Sequence, residues 1–259
     1  MILGTLLIAL SVAQAAPLES LKKLDRAELQ IKEPYSGELE VAQGWPIQQV
    51  MGHLFGPTWK EKSEWVFVCQ DGYRAILPTR KLLDHRGLLA TSWKGRGTFD
   101  VLKEVGGKKQ KVPVGPYYLV WENIQDVEMA KEGDHGWPYQ VVGIEAAEPV
   151  ASRWVPDARA SIRVRKGYEA FKSYCLNCHS VDAQGGKVGP ELHVPVSAAK
   201  YYNPAFLPQW ILNPASIRAG TPMPPYRPEA DMSERKAEVQ NVVAYLGWLA
   251  AEQEKNIQK

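Results

Sequence analysis

Two thiols and an imidazole stand within five residues, Cys175-Leu176-Asn177-Cys178-His179. On a helical turn, sulfurs at this spacing can each reach one vinyl group of the same porphyrin, and the next residue turns its imidazole toward the iron. That is the attachment pattern of a c-type haem, with two thioether bonds and a proximal histidine. The same residues could instead make a zinc site, a redox disulfide or a chance match. Zinc needs further Cys or His ligands at suitable spacing. The rest of the chain offers only Cys69 and four scattered histidines, none forming a second pair. The iron then needs a sixth ligand or an open position. Met223 leads, because it sits in Gly220-Thr221-Pro222-Met223-Pro224-Pro225, where prolines stiffen the loop and bar it from helix or sheet interior. Met/His ligation would raise the reduction potential relative to two imidazoles. Met232 and His193 are the other candidates, and an ordinary loop methionine is the plain alternative for Met223.

The segments around these groups change character along the chain. Val164, Tyr168 and Phe171 share a helical face that leads into the haem motif, and Phe206 to Leu212 reads as a short helix closed by Asn213-Pro214. Glu234 to Glu252 reads as a long amphipathic helix, with Val239, Val242, Val243, Leu246 and Leu249 on one face and Ser233 as its N-cap. Upstream the pattern is β-rich. Trp65 to Cys69 and Tyr73 to Leu77 flank the turn dipeptide Asp71-Gly72 and predict a hairpin. Leu88 to Trp93, Tyr117 to Trp121 and Gln140 to Ile144 read as further strands, and Thr79 to Leu83 as a helical turn. Leu18 to Lys32 has near-helical apolar spacing and is expected to be a short amphipathic helix. The reading is two domains: a mainly-β α+β domain over residues 17–148 and an all-α domain over 161–259, joined by a linker at 149–160.

With 259 residues, 31 basic and 29 acidic side chains and a net charge of +2, nothing points to a nucleic-acid or polyanionic partner. Nine tryptophans and eleven tyrosines favour packed aromatic cores over disorder. Residues 1–16 read as a secretory signal: an apolar run from Ile2 to Val12, then Ala13-Gln14-Ala15 as the cleavage pattern. No basic residue precedes the run, and a short buried helix is the alternative. The run is too short to cross a bilayer, which takes roughly 20 residues, and no later segment is apolar enough. Export fits haem attachment outside the cytoplasmic membrane and places the mature chain in a bacterial periplasm.

Residues from about Arg163 to Gln253 resemble a class I cytochrome c. The resemblance rests on Gly167, Phe171, Cys175, Cys178 and His179, on Gly189-Pro190-Glu191-Leu192, on Trp210-Ile211-Leu212-Asn213-Pro214, on Thr221-Pro222-Met223-Pro224, and on Val242-Val243-Ala244-Tyr245-Leu246. It implies one covalent haem c, axial ligation by His179 and Met223, and a Pro190 carbonyl that accepts the proximal imidazole's N–H. It also implies that Tyr245 crosses the first helix near Gly167. The implied function is one-electron transfer between redox proteins, with no substrate bound. Trp210 and Tyr201 or Tyr202 are candidates to bond the haem propionates, or else core aromatics.

The segment Phe67-Val68-Cys69-Gln70-Asp71-Gly72-Tyr73-Arg74-Ala75-Ile76-Leu77-Pro78 resembles the hairpin of sulfite-oxidase-type molybdopterin domains. The strands at Leu88-Leu89-Ala90 and Gly115 to Val120, then Trp137 to Val141 and Ile144-Glu145, follow in similar order. The likeness covers a shortened part of that fold, and Cys69 does not match the family's molybdenum-binding position. It implies a relative without molybdenum that docks the cytochrome to a redox partner. The competing possibility is an enzyme whose N-terminal domain oxidises a small molecule and passes electrons to the haem. Cys69 reads as a buried small hydrophobe, or alternatively as a metal-ligating thiolate, and His135 as a loop residue.

Overall fold

The computed structural model describes residues 18–105, 108–147 and 152–257. The proposed leader at 1–16 and part of the proposed linker lie outside the described residues. The N-terminal region is mostly β and the C-terminal region helical, each built on its own apolar cluster.

In the N-terminal region, β1 (Ala27–Lys32), β2 (Leu39–Pro46), β5 (Gly87–Trp93) and β8 (Tyr118–Trp121) pair antiparallel in the order β1-β2-β5-β8. A second sheet has the order β4-β3-β9, from β3 (Glu64–Cys69), β4 (Arg74–Pro78) and β9 (Val141–Ala146). The sheets meet at Val141, which pairs with Cys69 in one and bridges to Tyr117 at the edge of the other. β8 is buried along its whole length. Its Tyr118 packs edge-on against Trp93, with ring centroids 6.1 Å apart, and against Trp137 at the same separation. Burying such large rings is the main favourable term in a core of this kind. The α-helices α1 (Ile47–Phe55), α2 (Thr79–Asp84) and α3 (Val127–Lys131), a 3-10 turn at Pro57–Glu61, and the Lys-rich hairpin of β6 (Asp100–Val105) and β7 (Lys108–Pro113) also belong to this region.

The hairpin at Asp71-Gly72 and the strands β5, β8 and β9 fall where the sequence puts them. Leu18 to Lys32 does not form one helix. A 3-10 turn spans Leu18–Lys23, and Ala27–Lys32 is strand β1, in which only Leu29 and Ile31 are buried. The alternation of those two residues with polar neighbours decides the outcome once β2 supplies a hydrogen-bonding edge.

In the C-terminal region, α4 (Ile162–Ala170) starts at Ser161, whose hydroxyl accepts from the Val164 amide (3.3 Å). It passes into a π-helical turn at Phe171–Cys175. A two-residue pair, β10 (Ser180–Val181) with β11 (Gln184–Gly185), follows, then α5 (Ala198–Tyr201), α6 (Leu207–Leu212) and the long α7 (Met232–Ile257). The cap of α7 is Asp231 rather than Ser233: its carboxylate accepts both the Ser233 amide (2.7 Å) and hydroxyl (2.5 Å). Val239, Val242, Tyr245, Leu246 and Leu249 are buried on its inner face. α4 and α7 cross at Gly167, where a Cβ would stand 1.9 Å from the Asn241 carbonyl oxygen and 2.9 Å from the Tyr245 Cβ. No side chain fits there. Within the 149–160 stretch, Trp154 is buried in this second core and its carbonyl accepts the Tyr245 hydroxyl (3.0 Å).

The two regions are held against each other. Lys172 pairs with Glu64 at 2.7 Å, and the half-buried His135 ring lies 4.4 Å from that of Tyr174. His135 is therefore an interface residue as well as a loop residue. Burial, with Lys81 and Arg227 nearby, pushes its imidazole from 6.5 down to about 4. The unfolded chain takes up this proton below about 6.5 and the folded chain only near 4, so His135 costs stability as pH falls through that window and nothing above it. The expected outcome is a thermal midpoint that drops more steeply between pH 6.5 and 4 in the native sequence than in His135→Phe. The difference should reach roughly 1–3 kcal/mol at the acid end, and parallel pH profiles would contradict it.

Candidate functional site

The haem motif occupies the turn that ends the π-helical segment. The Leu176 amide bonds the Phe171 carbonyl (3.0 Å), and the Cys178 and His179 amides both bond the Cys175 carbonyl (3.1 and 2.9 Å). The wider turn includes Cys175 and so runs into the motif, a position where such irregularities often serve function. Cys175 and Cys178 are both free thiols and partly accessible. Burial, and then each other's proximity, pushes the Cys175 thiol up to about 12, while burial and then Asp71 push that of Cys178 to about 11. Both stay protonated at neutral pH.

His179 points its Nδ1 at the Pro190 carbonyl oxygen, 2.8 Å away. A carbonyl can only accept, so Nδ1 carries the proton and the Nε2 lone pair is free. Burial holds this imidazole below its usual range, against the opposing pull of the Pro190 bond and Glu191, and so favours the neutral ring. Gly189 lies flat against the ring: a Cβ there would be 2.4 Å from Cε1. The Gly189 amide bonds the Cys178 carbonyl (2.8 Å), which closes the loop onto the motif.

Glu191 organises this loop, a role that its place in the sequence pattern does not reveal. Its carboxylate accepts from the Ser180 hydroxyl (2.7 Å) and from the amides of Asp182 (3.0 Å), Ala183 (3.1 Å) and His193 (3.0 Å). Partial burial works against the charge, but these donors together hold the carboxyl below its ordinary range.

Met223 is half-buried in the loop before α7, with its amide 3.4 Å from the Thr221 hydroxyl oxygen. Met232 is 48% exposed at the start of α7. His193 is buried, its Nε2 3.8 Å from Asp182, and its carbonyl accepts from Gln253. Trp210 on α6 stacks on Tyr202, with centroids 6.4 Å apart, while Tyr201 is 76% exposed. Cys69 is buried in β3, and burial, followed by the nearby Asp71 carboxylate, pushes its thiol up to about 12. Among the described residues no three His, Cys, Asp or Glu side chains are arranged to hold a metal ion, so Cys175, Cys178 and His179 do not converge on one point as zinc ligands would.

Residues 163–246 match the family model described as cytochrome c oxidase, cbb3-type, subunit III. The C-terminal region carries a cytochrome c domain. No curated protein matches the chain. A cytochrome c domain implies haem c, and the donor set fits that group: two unpaired, protonated thiols and one neutral imidazole with a free Nε2. Among the described residues, no helix is long and apolar enough to cross a membrane.

Glu191 gives the test of the loop. Replacing it by Ala leaves three amides and a hydroxyl without their acceptor, at a cost of about 1–3 kcal/mol. Glu191→Ala should lower the denaturation midpoint of the holoprotein by that amount, read by urea titration. A midpoint equal to that of the native sequence would contradict the role.

Proposed function

We propose that this protein is a periplasmic class I cytochrome c with one covalent haem, carrying single electrons between redox proteins. Residues 1–16 are its export signal, 17–148 a non-catalytic docking domain, 149–160 a linker and 161–259 the haem domain. Cys175 and Cys178 hold the haem through thioether bonds, and His179 and Met223 take the axial positions. Pro190 fixes the proximal ring, and Trp210 belongs to the haem environment. The group supplies a ferric/ferrous couple when bound. The chain's own residues attach it, orient the proximal imidazole and exclude water.

The observation that carries the reading is the 2.8 Å contact of His179 Nδ1 with the Pro190 carbonyl oxygen beside two free thiols. It leaves Nε2 to bind iron and strengthens the ring as a donor. Met223 is favoured as sixth ligand because Met232 is exposed and His193 is buried against Asp182. For the N-terminal region we propose a shortened relative of the sulfite-oxidase-type fold. In support, three of the strands that carry the likeness, β3, β4 and β9, form one sheet with the Arg74 guanidinium paired to Glu145 across it, and the other two, β5 and β8, pair in the four-stranded sheet.

Two measurements test the proposal. Met223→Ala should abolish the weak long-wavelength band that reports a thioether on ferric iron and should lower the reduction potential. A surviving band would show that another residue binds. Metal analysis of the native holoprotein should give one iron per chain and no molybdenum. Stoichiometric molybdenum would turn the reading toward an oxidase with a built-in electron acceptor.

A further inference from the structure

Asn177 occupies the variable position before Cys178, yet it is 3% exposed, and its carbonyl and both side-chain polar atoms are engaged. Its carbonyl accepts the Arg74 amide (2.9 Å). Its side-chain oxygen accepts the Ile76 amide (3.4 Å), and its amide nitrogen donates to the Tyr73 hydroxyl (3.2 Å) and the Ser173 carbonyl (2.9 Å). On the other limb of the loop, the Lys187 amide donates to the Gly72 carbonyl (3.0 Å). The β3–β4 hairpin of the N-terminal region thus bonds both limbs of the haem-attachment loop.

Its surroundings keep the hairpin there. Ile76 packs into the apolar core of the cytochrome c domain. The Lys172–Glu64 ion pair and the His135–Tyr174 ring contact flank it. Asn is the side chain for this position because it offers a donor and an acceptor at once. A buried amide with every partner in place specifies one arrangement, and a partly satisfied one is costly. A domain tethered only by its linker would need none of these bonds.

We infer that the β3–β4 hairpin is the outer wall of the haem site, clamped by Asn177, Tyr73, Gly72 and Lys187, and that this wall excludes water from the Cys178 side and holds the reduction potential up. The inference rests on the haem reading of Cys175, Cys178 and His179. Ferric haem carries one more positive charge than ferrous haem, so water at the site favours the ferric form and lowers the potential. A dry wall does the reverse. Asn177 and Tyr73 are positioning residues, acting on the iron through the loop they hold.

The test uses the full-length holoprotein with Tyr73→Phe and Asn177→Ala. Tyr73 lies outside the attachment motif, so its variant separates the clamp from haem loading. Both variants should show a more negative midpoint potential, larger for Asn177→Ala. Amide exchange at Arg74 and Lys187 should be slow in the native protein and about tenfold faster in Asn177→Ala. Faster exchange with an unchanged potential would overturn the inference, as would unprotected amides in the native protein. If Asn177→Ala does not take up haem, Tyr73→Phe decides alone: a lowered potential supports the wall, and an unchanged one refutes it. Failure of the native chain to bind haem covalently would instead defeat the functional reading beneath it.

Discussion

The bond between His179 Nδ1 and the Pro190 carbonyl oxygen is the contact on which the site depends. It sets the tautomer, fixes the plane of the ring and leaves one nitrogen for metal. Much of the surrounding structure keeps its two ends in place. The π-helical turn and the bonds to the Cys175 carbonyl hold the histidine end. Gly189 lets the loop close on the ring without a clash, and Glu191 gathers the donors of the two limbs onto one carboxylate. Behind these, the approach of α4 and α7 at Gly167 fixes the helix from which the motif emerges.

The same short loop is also the meeting surface of the chain's two regions. Lys172, Tyr174, Asn177 and Lys187 all face the N-terminal region, so the haem motif is read from two sides at once. A domain fused at this surface changes the environment of the site whether or not it has a chemistry of its own. That gives the β-rich half a physical consequence, since the polarity around a haem is one of the few means a protein has to set its potential.

The parts legible in the sequence are those with local causes. The Cys-x-x-Cys-His spacing, the proline-braced loop, the apolar face of α7 and the Asp71-Gly72 turn each follow from residues close together in the chain. The parts that were not legible depend on partners that the local apolar pattern does not reveal. β1 carries a near-helical apolar pattern and becomes a strand because β2 lies beside it. β7 has almost no buried side chain, so its pairing with β6 leaves no apolar signal. Asp231 outcompetes Ser233 for the cap because its carboxylate accepts from that serine. Glu191 and Asn177 pass for ordinary polar residues until the amides that bond them are brought in from other segments. An aromatic-rich strand such as Tyr118–Trp121 announces burial, whereas a buried polar hub announces nothing.

The most direct test of the account is whether one haem stays on each chain after the protein is denatured. Purified holoprotein would be unfolded in acidified organic solvent, and the haem remaining with the polypeptide quantified against chain mass. The account predicts one haem retained per chain, with retention lost when Cys175 and Cys178 are both replaced by alanine. Haem that extracts freely from the native sequence, or a chain mass without the added porphyrin, would contradict it.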